Sequence, residues 1–158
     1  MTSDYSLKPF TLSDFVTESN RIEGLGPAQA HELLAHELLL RSSVLTVSAL
    51  AQFVRTIADA PLRARVGMDV RIGNHVPPPG GPAIVDQLNG LLDRIYHDPL
   101  CTPYTAHHVY ETLHPFIDGN GRSGRALWLW QMGGIARAPL GFLHHFYYQT
   151  LDAGRPAP

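Results

Sequence analysis

HPFIDGNGRSGR, residues 114–125, sets a histidine, a carboxylate, an asparagine, closely spaced glycines and two arginines into one short stretch. Phe116 and Ile117 are its large apolar residues, apart from the ring of Pro115, so core packing does not account for the composition. Pro115 disfavours the α conformation at His114, which predicts that a preceding helix ends there. Asp118-Gly119-Asn120-Gly121 is strong turn chemistry. Glycines two apart allow successive backbone N–H groups to converge as an anion-binding nest. A helix starting at about residue 121 adds unpaired N–H groups and the positive end of its dipole. Arg122 and Arg125, three apart, share a face of that first turn, where the dipole repels cations. Positive potential from nest, helix end and arginines predicts a bound polyanion, such as a nucleotide phosphate chain. Asp118 is reconciled with it by a Mg²⁺ ion held jointly by carboxylate and phosphate oxygens. His114, at the rim, suits proton transfer near neutral pH. Taken singly, each residue fits an ordinary turn or a structural contact; the cluster is what points to a site.

Outward from this loop the chain reads as helices. Pro103 opens PYTAHHVYETL (103–113). GRALWLWQM (124–132) is apolar almost all round, as a central buried helix would be, and Gly133-Gly134 stop it. A last helix is expected over about 138–151. Upstream, 83–96 carries Ile84, Leu88, Leu91, Leu92 and Ile95 at helical spacing, and about 46–59 turns Leu50, Phe53, Val54 and Ile57 inward. Pro27 is expected in the first turn of a helix running through AQAHELLAHELLL. Residues 13–23 predict a short helix capped by Ser13 and ended by Gly24, with Phe15, Val16, Ser19, Ile22 and Glu23 near one face. MDVRIGNHVP (68–77) changes period: Val70 and Ile72 alternate into a Gly73-Asn74 turn, then His75 and Val76, which predicts a short β-hairpin ended by prolines. The expectation is a single all-α domain over 1–158, decorated by one hairpin and without internal repeats.

Composition narrows the function classes. The chain has 158 residues, 44% hydrophobic and 16% charged, which suits one globular domain with one core. A formal net charge of −2 supplies no global attraction to nucleic acid or an anionic membrane, so a polyanion must be held locally. Cys101 stands alone, which excludes an intramolecular disulfide and fits a reducing cytoplasm. No basic region followed by an apolar stretch marks a signal peptide, and no apolar run approaches the ~20 residues that span a bilayer. A cytoplasmic protein without nucleic-acid or membrane partners is expected.

The 114–125 stretch resembles the Fic (filamentation induced by cyclic AMP) family, whose signature is HxFx(D/E)GNGRxxR. His114, Phe116, Asp118, Gly119, Asn120, Gly121, Arg122 and Arg125 match its fixed positions. The hairpin and the helices around the motif are similar to the flap and all-α core of that family, over roughly residues 13–150. The resemblance implies AMP transfer from ATP to a protein hydroxyl. On that reading His114 is the base, Asp118 the Mg²⁺ ligand, and Gly119, Asn120 and Gly121 the anion hole, with the Asn120 amide orienting the α-phosphate. Arg122 and Arg125 hold the β- and γ-phosphates, and Phe116 anchors the loop. Val70, Arg71 and Ile72 on the flap are the implied docking edge, where a target segment adds as a β-strand.

SNRIEG (19–24) is similar to the family's inhibitory pattern (S/T)xxxE(G/N). Ser19 and Glu23 are four apart on one helical face. Glu23 sits at a helix C-terminus, where the dipole disfavours an anion, and Arg125 sits at an N-terminus, where it disfavours a cation. The resemblance implies that Glu23 pairs with Arg125 and blocks the productive seat of the γ-phosphate. Two alternatives stay open. Death-on-curing relatives of the same fold transfer phosphate, but carry a bulkier basic residue near Gly121. A nucleotide-binding regulator that docks without catalysis is the other. Tyr5, Tyr96 and Tyr110 are candidates for self-modification, with nothing to select one. The target and the oligomeric state are not written in the sequence.

Overall fold

The computed structural model describes residues 9–138. Its helices are α1 (Leu12–Ile22), α2 (Ala30–Arg41), α3 (Val47–Ala58), α4 (Pro82–His97), α5 (Pro103–Leu113) and α6 (Asn120–Met132), followed by a 3₁₀ turn at Ile135–Arg137. The all-α class stands: among the described residues there is no strand ladder, only isolated bridges. The helix expected over 138–151 lies outside the described residues, apart from its first position.

α6 is the axis of the fold. Residues 122 to 129 are all buried, as its all-round apolar sequence predicts, and it packs against α1, α2, α3 and α5. Leu50 and Val54 of α3, Ile84 and Leu88 of α4, Ala106 and Tyr110 of α5 and Leu127 of α6 are sealed into one core. Each such aliphatic side chain contributes about 1.5–3 kcal/mol on burial. Phe15 and Val16 pin α1 onto Trp128 and Leu129 in a second cluster. One strong polar link crosses the core: the Tyr110 hydroxyl meets Ser123 Oγ at 2.7 Å, and Ser123 Oγ donates to the Gly119 carbonyl at 2.8 Å.

Helix starts correct two expectations. Thr11, not Ser13, caps α1, in a capping box with Asp14; an acid three residues after the cap makes Thr11 the better partner. α2 begins at Ala30, after Pro27, because Gln29 and Glu32 form the box there. Gly24 does end α1, at φ +73°.

The hairpin over 68–77 is not formed as a ladder. Ile72 and His75 exchange both backbone bonds, at 3.0 and 2.8 Å, around the Gly73-Asn74 turn, and pairing goes no further. Pro77, Pro78 and Pro79 lack donors. The segment is tied down by side chains instead: Asp69 Oδ1 accepts from Gly80 N at 2.8 Å, and His75 Nε2 lies 3.0 Å from the Thr112 carbonyl.

Candidate active site

The loop between α5 and α6 is held from both ends. His114 caps α5 in the left-handed region, φ 49° and ψ 63°, its N–H donating to the Tyr110 carbonyl. That conformation costs a non-glycine residue on the order of 1–3 kcal/mol, so it must be held by its surroundings. One support is Arg63, whose Nε donates to the His114 carbonyl at 2.7 Å. The other is a short clamp. Leu62 bridges Phe116 in antiparallel fashion, Arg63 N donates to the Pro115 carbonyl at 2.9 Å, and Ile117 N to the Pro61 carbonyl at 3.1 Å. Phe116 itself is fully buried in the main core, as expected of an anchor.

Asn120 closes the loop on itself. Its Oδ1 accepts from Phe116 N at 2.9 Å and its Nδ2 donates to the Phe116 carbonyl at 2.8 Å. The side chain is thus engaged within the loop, which differs from the expectation that its amide orients a phosphate. Gly119 caps α6 at φ +79°, and a Cβ there would come within 2.8 Å of Ala58 Cβ. Both backbone conformation and space therefore demand glycine. At Gly121 a Cβ would overlap Glu23 Oε1, so a larger residue there would have to push the Glu23 carboxylate aside. The N-terminus of α6 thus opens directly toward the Glu23 carboxylate.

The arginines diverge. Arg125 turns to α1: Nε donates to Ser19 Oγ at 2.8 Å, and Nη2 donates to the Ser19 carbonyl at 3.0 Å and to Glu23 Oε1 at 2.7 Å. Arg122 turns to α3, donating from Nη1 to the Ile57 carbonyl at 2.7 Å, with Glu32 Oε1 3.8 Å away. A shared helical face fixes where two such side chains leave, not where their long stems end, and each ends on the nearest acceptors. Arg122 also lines a cleft of about 420 Å³ with Asn20, Pro27, Glu32, Thr56 and Asp59.

Burial is the main cause that lowers the His114 pKa below the usual imidazole value. The cationic Arg63 and neighbouring His75 also lower it, while a bond to the Glu111 carbonyl and the Glu23 carboxylate push the other way. The ring is therefore neutral, and able to accept a proton, at pH 7. Asp118 is exposed, its Oδ1 accepting from Gly119 N at 2.6 Å. Among the described residues no group of three His, Cys, Asp or Glu side chains could hold a metal. A lone exposed carboxylate fits a Mg²⁺ ion whose other ligands are phosphate oxygens and water, since this ion keeps most of its hydration. On the flap, Arg71 and Ile72 are exposed and Val70 is half-buried. Tyr110 lies in the core, and the Tyr96 hydroxyl is bonded to the backbone of Ser43 and Leu45. Tyr5 lies outside the described residues.

Four polar residues join this site without a sequence signal. Arg63 is one. Asn20 and Glu32 form a second attachment of α1: Asn20 Nδ2 donates to both Glu32 carboxylate oxygens, at 3.2 and 3.0 Å, and Glu32 faces Arg122. Glu111 is the fourth. Its Oε1 is closed off from solvent without a hydrogen-bond partner among the described residues, and burial pushes its pKa up to about 7. One turn earlier on α5, burial pushes His107 down to about 4. Burial thus disfavours charge on both groups behind Arg125, while the Glu23 carboxylate bonds to its guanidinium directly.

These features define a class: a helical domain that presents a glycine-bounded, cation-backed helix N-terminus beside a neutral histidine. The Fic/DOC family model matches residues 30–132, and the chain belongs to that family. It is also 42% identical over 64 residues to a protein of Drosophila willistoni named Protein adenylyltransferase Fic. That similarity covers 37% of this chain and 13% of the relative, so the chain spans a small part of the relative's length. Ser19 and Glu23 precede the residues matched by the family model.

Proposed function

We propose that the protein transfers AMP from ATP to a Ser, Thr or Tyr hydroxyl of a target protein, and that α1 restrains it. The observation that carries this reading is the seat of Glu23: its carboxylate lies against Gly121 and on Arg125, where an anion is wanted at the start of α6. A triphosphate chain is the ligand such a seat suits, and Glu23 is its competitor. The family membership and the name of the partial relative support AMP as the group moved.

In this mechanism the N–H groups at the start of α6 and the Arg125 guanidinium hold phosphate oxygens, and positioning with electrostatic stabilisation does most of the work. Asp118 would hold Mg²⁺, which supplies neutralisation of phosphate charge. The neutral His114 ring takes the proton from the incoming hydroxyl as its oxygen bonds to the α-phosphorus; the bond to the bridging oxygen breaks and pyrophosphate leaves. The exposed edge at Arg71 and Ile72 is where the target segment would lie.

The test is label transfer from α- and γ-labelled ATP, with wild-type protein and Glu23→Gly. α-Label on protein, increased in the variant, is expected. γ-Label would mean phosphorylation, and no label in either protein would leave a binding module. Equal transfer by the two proteins over a range of ATP concentrations would remove the restraining role of α1.

A further inference from the structure

Arg63 is fully buried, and among the described residues its guanidinium bonds only to backbone carbonyls. Nε donates to His114 O at 2.7 Å and Nη2 to Leu113 O at 2.9 Å, which are orphan acceptors at the end of α5. Nη1 donates to Met68 O at 3.2 Å and to Pro78 O at 2.9 Å, one on each stem of the flap. The backbone of Arg63 repeats the pattern: its N–H donates to the Pro115 carbonyl and its carbonyl accepts from Gly81 N, both at 2.9 Å. A buried cation is expensive unless its bonds are all made with good geometry, and the planar fork of arginine is what allows one group to join carbonyls from three segments.

We propose that Arg63 is a positioning residue: it fixes the left-handed turn at His114 and both flap stems to one point, so that the histidine and the target-docking edge move as one unit. Its effect on catalysis rests on the transferase reading above; the coupling itself does not.

The coupling is read first in the nucleotide-free protein, from the ring resonances of His114 in an NMR pH titration. Arg63, His75, Glu23 and the Glu111 carbonyl face that ring. Arg63→Gln removes the buried cation and is expected to move the His114 resonances and raise the ring's midpoint. Arg63→Lys keeps the charge but loses the fork, and is expected to move the resonances through geometry. Gly80→Ala approaches from the flap side: its Cβ would sit 2.5 Å from Met68 O, an acceptor of Arg63, and displace it while the Arg63 side chain is kept. It too is expected to move the His114 resonances, which a flap independent of the histidine would not do. In a Glu23→Gly background, Arg63→Lys should slow transfer by roughly 10–100-fold, as misplacement of a catalytic group does, while a fluorescent ATP analogue binds as tightly as to the parent. Unchanged His114 resonances and transfer in folded Arg63→Lys would overturn the proposal. So would a Gly80→Ala change that stops at the flap. If Arg63→Gln does not fold, Arg63→Lys and Gly80→Ala decide. If Glu23→Gly transfers no AMP, the transferase reading fails by itself, and the ring titrations still decide the role of Arg63.

Discussion

At the scale of single residues, the site depends on groups held in their uncharged form. His114 is neutral at pH 7 because burial, more than any neighbour, opposes its protonation. His114→Ala is expected to lower transfer by ~10²–10⁴-fold while a fluorescent ATP analogue still binds, because in the proposed mechanism the ring acts on the hydroxyl and not on phosphate. In Glu23→Gly protein the rate should rise with pH through a midpoint below the ordinary imidazole value; a midpoint above it would contradict the buried base. Glu111 has the opposite linkage. Its folded pKa, about 7, lies above the unfolded value of 4.5, so its contribution to stability is complete below pH 4.5 and is lost as pH rises through about 7. Glu111→Gln, which cannot ionise, should therefore lose less stability than wild type between those limits. Thermal melts across that range check it, and parallel curves would mean that Glu111 ionises freely in the folded state. The sequence announced His114 as a helix end through Pro115, but not Glu111, whose environment is made by Gly124 and Arg125 of a different helix.

At the scale of elements, α1 lies against the start of α6. It is fastened through Ser19 and Glu23 to Arg125, and through Asn20 and Glu32 toward Arg122, so both arginines of the motif are reached from its side. The Glu23 side chain is 39% exposed, which limits what its ion pair contributes to ~1 kcal/mol or less. Glu23→Gly should accordingly lower the melting temperature of the nucleotide-free protein by no more than about 2–4 °C, while raising transfer. Arg125→Ala breaks the same pair but, on the proposed function, removes a phosphate ligand, so it should melt lower without gaining activity. An Arg125→Ala protein that transfers faster than wild type would show that Arg125 is not needed to hold phosphate. The four-residue spacing of Ser19 and Glu23 was legible in the sequence. The Asn20–Glu32 attachment was not, because its partners lie on different helices and neither residue is unusual where it stands.

At the scale of the whole molecule, the loop is exact because it hangs on the core. Phe116 sits in the main cluster, and the Asn120 amide is bonded to both backbone groups of Phe116. Phe116→Ala should therefore cost about 3–5 kcal/mol in chemical denaturation and weaken nucleotide binding as well, since the anion-facing turn loses its reference. A large stability loss with unchanged nucleotide affinity would show that loop and core are separable. The central burial of α6 serves the same end: its N-terminus is held in place by packing on α1, α2, α3 and α5.

The sequence by itself determined the helical class, the helix that is buried over 124–129 and the break at His114. Each of these follows from local periodicity, a proline or a glycine, whose effects act within a few residues. Only the tertiary structure decided where the long polar side chains end. Arg122 and Arg125 part toward different helices, Asn120 turns inward, and Arg63 gathers carbonyls from residues 68, 78, 113 and 114. It also reduced the expected hairpin to a single bridge at Ile72 and His75. The reason is common to all: a flexible polar side chain, or a strand short of donors, takes the acceptors that folding brings near, and a linear pattern does not record which those are.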